Sequence, residues 1–227
     1  MSVSVADRVA QNPFWFRDCF IMTMPIGQRA INLRELLHAL HEVSDAVLFY
    51  HLFQYRLAIT TPAVEYPNDF AVWAANSLRD PKLAEKLSSF DPFDYDNLEQ
   101  LRRAMTDLLE EYLWDLPYIP WARPGMEFYF CEGATVVFRS RISARTLREF
   151  YETLKKVGYD SIYYHLFEGR WRLGMREKDD FSYWIETNFG LPELVTAIRN
   201  IDVYLYSLPE IQTILLKLLE RHLGVPE

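Results

Sequence analysis

Two histidines, each followed downstream by an aspartate, are the residues of this 227-residue chain with the most obvious chemical potential. His51 precedes Asp69, and His165 precedes Asp180. An imidazole oriented by a carboxylate is the core of a general base, and it is also a start on a metal site. Both pairs have a plainer use. Each aspartate stands where a helix cap is wanted, and each histidine lies in an aromatic run where a buried ring needs a hydrogen-bond partner. No serine or cysteine occurs equivalently beside both histidines, so a nucleophile is missing. One imidazole and one carboxylate also fall short of the three or four ligands of a zinc site. A metal would have to collect His51, His165 and both carboxylates together. The structural reading of His51, Asp69, His165 and Asp180 is the favoured one, and no metal or cofactor is expected.

Arginine is the second candidate chemistry. Arg139, Arg141 and Arg145 surround Arg148, and Arg170, Arg172 and Arg176 follow in a loop. Guanidinium groups fork onto phosphate or carboxylate oxygens, so Arg139, Arg141, Arg145, Arg148 and Arg172 define a candidate anion site. Charge pairing with the acidic first half of the chain is the more economical account. Arg34 and Arg148 both fall in the first turn of a helix, where a cation opposes the helix dipole and needs another partner. Asp91 and Asp202 are the expected salt-bridge partners. A glycine-rich phosphate loop, paired CxxC, HExxH and GxSxG are all absent, which makes an enzyme the less favoured reading.

The elements that would position these residues occur twice. Residues from Ala30 to Phe53 recur 114 positions later from Ala144 to Phe167, and Asp69, Phe70 and Trp73 are answered by Asp180, Phe181 and Trp184. Such self-similarity predicts two duplicated helical modules related by pseudo-twofold symmetry. The predicted fold class is mainly α with a few short strands. Its parts are a first module over 1–115, a proline- and aromatic-rich strap over 116–127, and a second module over 128–227. Each module opens on a short strand, Phe16–Met22 or Phe128–Phe138. A helix follows whose start carries capping-box spacing, Asn32 with Glu35 and Thr146 with Glu149. Ser44 and Asp160 are predicted N-caps for the aromatic runs that follow. Asp96 with Glu99, and Ser207 with Glu210, open the closing amphipathic helices. Trp73 and Trp184 are predicted core, and the aromatics of the strap are expected to lie against the modules.

Composition narrows the function. The net charge of −8 disfavours nucleic acid and anionic membranes as partners. Two cysteines at non-equivalent places, Cys19 and Cys131, make no disulfide framework, and no secretory stretch is evident. A cytoplasmic protein is expected. Tyr164-His165-Leu166-Phe167, Asp180-Phe181 with Trp184, then Leu194 and Asp202, preceded by Thr146-Leu147 and Glu149, resemble a prokaryotic family catalogued as domain of unknown function 5752. The resemblance implies a helical module, here in two tandem copies, and carries over no catalytic residues. The leading expectation is a non-catalytic binding or regulatory protein. It would engage a protein partner or a small anionic metabolite between or beside its modules. The alternatives are a hydrolase or transferase using His165 and Asp180 with an arginine-lined anion site, and a structural oligomerisation adaptor.

Overall fold

The computed structural model describes residues 5–55, 66–90, 94–172, 178–203 and 206–223; the side chains of 171 and 172 lie outside the described set. Its strands are far longer than expected. β1 runs Phe14–Ala30 and β2 runs Phe128–Ala144, and the two form one antiparallel two-stranded sheet. The fold is therefore α/β, which corrects the mainly α architecture of duplicated helical modules about a pseudo-twofold. The short, imperfect alternation in the sequence has a physical cause. Phe14 and Phe16 are buried, but the next buried residue is Cys19, so the inward face slips by one position. Beyond it, Met22 and Ile26 stand in solvent, and Gly27 takes a positive φ of 79° inside the strand.

The compact units are also not the expected segments. One comprises residues 1–20 with 136–227, the other residues 21–135, so both strands are divided between units. The second holds nine basic and 17 acidic residues and accounts for the whole net charge of −8.

In the 21–135 unit, α1 (Leu33–Glu42) starts at Asn32, whose side chain accepts from the Glu35 amide, while Glu35 Oε2 accepts from Ile31 N–H at 3.0 Å. That reciprocal bond satisfies two helix-end donors. Ser44 caps α2 (Asp45–Phe49), which runs directly into a π-helical turn at Tyr50–Gln54 carrying His51. α3 (Asp69–Asn76), α4 (Pro81–Ser88) and α5 (Leu98–Asp115) follow. Their apolar faces close on one core with Phe128 and Phe130 of β2. Gly133 is needed where β2 passes the π-turn: a Cβ there would sit 2.1 Å from Gln54 Oε1 and 2.8 Å from Tyr50 Cδ2.

In the other unit, α6 (Leu147–Leu154) is opened by Thr146 and Glu149 in the same reciprocal manner. α7 (Tyr159–Tyr163) leads into a second π-helical turn, Tyr164–Glu168, and the short α8 (Gly169–Arg172). α9 (Asp180–Asn188), α10 (Pro192–Arg199) and α11 (Leu208–Leu223) complete it. Phe14 and Phe16 belong to this core, although they precede its helices by more than 120 positions.

Several caps differ from expectation by one or two residues. Asn68 and Asp179, not Asp69 and Asp180, cap α3 and α9. Asn97 replaces Asp96 on α5, and Gly158 precedes α7 in place of Asp160. The strap is bound by its backbone: Ala122 N–H donates to the Ile31 carbonyl at 2.8 Å. Its aromatics do not pack as expected, since Tyr118 and Trp121 are exposed, as is Trp114 just before it.

Candidate functional site

Each histidine sits on a π-helical turn with its ring buried, His51 at 1% exposure and His165 at 3%. The wide turn sets the side chain at an angle that regular helix does not offer, which is why such turns recur at special positions. His51 Nδ1 lies 2.6 Å from Asp69 Oδ2, and His165 Nδ1 lies 2.8 Å from Asp180 Oδ2. The opposite nitrogens are taken as well. Cys131 N–H donates to His51 Nε2 at 2.9 Å, and Arg17 N–H donates to His165 Nε2 at 2.9 Å. An Nε2 that accepts carries its lone pair there, so the ring proton is on Nδ1, facing the carboxylate. Every ring nitrogen is thus used within its own unit. Neither Nε2 has a lone pair to offer a substrate proton or a metal ion.

The rings are also enclosed by aromatics. Phe14 stands 4.8 Å from His165, and Phe128 stands 4.7 Å from His51, centroid to centroid. Trp73 and Trp184 line the same cores, and their indole N–H groups donate to the carbonyls of Met126 and Asn12, both at 2.8 Å. Both tryptophans are satisfied core residues.

The thiols are poor nucleophiles. Burial pushes the Cys19 thiol up to about 12, with Glu168, Asp160 and Asp18 adding repulsion, and its Sγ lies 3.4 Å from the Asp160 carbonyl. Burial also raises Cys131. Since the thiolate is the reactive form, Cys19 is expected to resist iodoacetamide at pH 8 in the folded protein and to alkylate on unfolding. Peptide mass spectrometry reads this directly. Native labelling of Cys19 at the rate of a free thiol would contradict the packing around it.

The arginines of the candidate anion site are differently engaged. Arg148 is held by Asp7, Nε to Oδ1 at 2.7 Å, and not by the expected Asp202; Asp91 lies outside the described residues. Arg139, Arg141 and Arg145 are exposed, the first two on β2. The side chain of Arg172, and all of Arg176, lie outside the described residues. Arg170 is buried and donates to the carbonyls of Ile198, Arg199 and Ile201.

One feature carried no signal in the sequence. A shallow cleft of about 500 Å³ in the 21–135 unit is lined by His41, Ser44, Asp45, Glu99, Arg102 and Arg103. Arg102 donates to the Leu40 carbonyl and to Asp45 Oδ1, the latter at 2.7 Å, and Arg103 pairs with Glu99 at 3.0 Å. Both guanidinium groups facing it are already neutralised. Among the described residues, no group of three or more histidine, cysteine, aspartate or glutamate side chains is placed to hold a metal ion. Among the same residues, no helix is long and apolar enough to cross a membrane.

The chain belongs to a family of unknown function, DUF5752, whose model matches residues 11–220. A single match of that length takes in both strands and both units. Among solved structures, the chain is similar to OrfY from Thermoproteus tenax. The TM-score is 0.77 at 29% identity, covering 96% of this chain and 98% of that one. No curated protein matches it.

Proposed function

We propose that this chain is a cytoplasmic, non-catalytic binding protein that engages a protein partner through apolar side chains left in solvent. The observation that carries this reading is the exposure of Trp15, Phe20, Phe138, Trp114, Tyr118 and Trp121, with Trp114 at 90%. Single exposed apolar residues are ordinary, but aromatics repeated along strands and strap are costly unless something covers them. The non-catalytic half of the reading is supported by the inward commitment of His51 and His165, whose nitrogens all serve the fold.

The test is a turnover screen. Wild-type protein and His165→Ala are incubated with nitrophenyl phosphates and nitrophenyl glycosides across neutral pH. The expected result is no turnover above buffer for either. Hydrolysis by the wild type that vanishes in His165→Ala, at a temperature where the variant is folded, would overturn the reading in favour of a hydrolase.

A further inference from the structure

In the unit of residues 1–20 and 136–227, the strand pair has two edges with different surroundings. The main-chain N–H of Arg17 points away from β2, because it donates to His165 Nε2. β1 therefore turns its outer edge towards the helices. β2 is left as the outer strand, and among the described residues no further strand pairs with it. From Val136 to Ser143 every residue except Ser140 is exposed, and the segment contains no glycine or proline. Such an edge presents unpaired amides and carbonyls to any extended chain.

Charges on an open edge ordinarily serve to repel strand addition, and Arg139 and Arg141 could do that alone. The neighbouring side chains argue for more. Phe138, Val136, Val137 and Ile142 are left in solvent, where a purely protected edge would carry polar groups. The Ser140 hydroxyl donates to the Phe16 carbonyl, which ties this stretch of β2 to the start of β1. Among the described residues, the guanidinium groups of Arg139 and Arg141 make no hydrogen bond or ion pair, whereas Arg148 and Arg199 in the same unit are paired with Asp7 and Glu186. Among the described residues, basic groups without counter-charge alternate with apolar ones along a strand whose outer edge has no strand partner. That is the complement of an extended segment alternating carboxylates with apolar side chains.

We propose that the outer edge of β2 over residues 136–143 binds an acidic, apolar segment of a partner protein by strand addition. Arg139 and Arg141 meet its carboxylates, and Phe138 and Ile142, at alternate positions of the same strand, take its apolar side chains. This rests on the reading of the chain as a protein-binding protein and adds where, and to what chemistry, it binds. The edge favours a peptide over a nucleic acid or lipid surface, because main-chain amides and carbonyls are read by another main chain. A net charge of −8 also repels polyanions at long range.

The full-length protein is titrated against a fluorescein-labelled ten-residue peptide alternating glutamate with valine and phenylalanine, followed by anisotropy. A lysine counterpart, an oligothymidylate and phosphatidylserine vesicles are run alongside. The expected result is saturable binding of the glutamate peptide, weakened about tenfold or more in R139E/R141E, the scale of two lost charge-assisted contacts. The reversed variant should in turn prefer the lysine peptide. R139Q/R141Q, with circular dichroism on every variant, separates charge from folding; it should weaken binding by an intermediate amount. No binding of the glutamate peptide, equal binding by wild type and both variants, or tighter binding of the oligonucleotide or vesicles would overturn the proposal. So would self-association through this edge, seen by sedimentation and lost in R139E/R141E. Absence of peptide binding without any His165-dependent turnover sinks this inference alone; such turnover sinks the broader reading.

Discussion

Replacing His165 by alanine is expected to destabilise the protein by about 3–5 kcal/mol, a loss far beyond the typical point substitution. Three costs coincide. The Asp180 carboxylate, whose side chain is only 19% exposed, loses the donor 2.8 Å away. The Arg17 amide loses its acceptor at 2.9 Å. A ring-sized cavity opens beside Phe14 and Phe181, whose centroids lie 4.8 and 5.4 Å from the imidazole. At about 2–4 °C per kcal/mol for a protein of this size, the melting temperature should fall by roughly 6–20 °C. Asp180→Asn should cost less, since the amide still offers an oxygen to Nδ1 and keeps the ring and its bond to β1. Chemical denaturation measures the energies, and hydrogen exchange at Arg17 provides a local readout. A loss under about 1 kcal/mol, with unchanged protection at Arg17, would mean that the imidazole is not holding strand to helix.

That role could not have been read from the chain. The His51–Asp69 and His165–Asp180 pairs are visible as residue types, but the second partner of each ring is a backbone amide, which has no signature. Cys131 lies 80 positions from His51, and Arg17 lies 148 from His165. Local devices were more legible. The boxes at Asn32 and Glu35, and at Thr146 and Glu149, depend on residues three apart and formed as expected. Where two capping residues stand together, the local rule gives two answers. Asn68 precedes Asp69, and Asp179 precedes Asp180; the first of each pair caps the helix because the second is drawn to the histidine. The strands were obscured for a different reason. Each packs on helices over only part of its length, so the alternation that marks a half-buried strand fades in the exposed stretches. The arginines misled in part: Arg148 found Asp7, a residue 141 positions away near the N-terminus, whereas Arg139 and Arg141 remained exposed.

Phe14→Ala should be nearly as damaging as the loss of the histidine, about 3–5 kcal/mol, whereas Trp15→Ala should change stability by no more than about 0.5 kcal/mol. The two residues are adjacent and both aromatic, so propensity and composition do not distinguish them. Their surroundings do. Phe14 is 6% exposed and has four rings around it besides Phe16: Phe150 at 5.3 Å, His165 at 4.8 Å, Phe181 at 5.4 Å and Trp184 at 5.6 Å. Removing it leaves a void walled by side chains from α6, the π-helical turn and α9, none of which can move inward without dragging its helix. Trp15 is 53% exposed and points the other way on the strand. The contrast tests whether the start of β1 is an integral part of a core whose helices begin at Leu147. Urea denaturation of both variants, followed by far-ultraviolet circular dichroism, measures the difference. Equal effects would mean that the β1 end does not belong to that core. A large Phe14 effect with a small Trp15 effect would fix β1 by its inward face while leaving its outward face free for a partner.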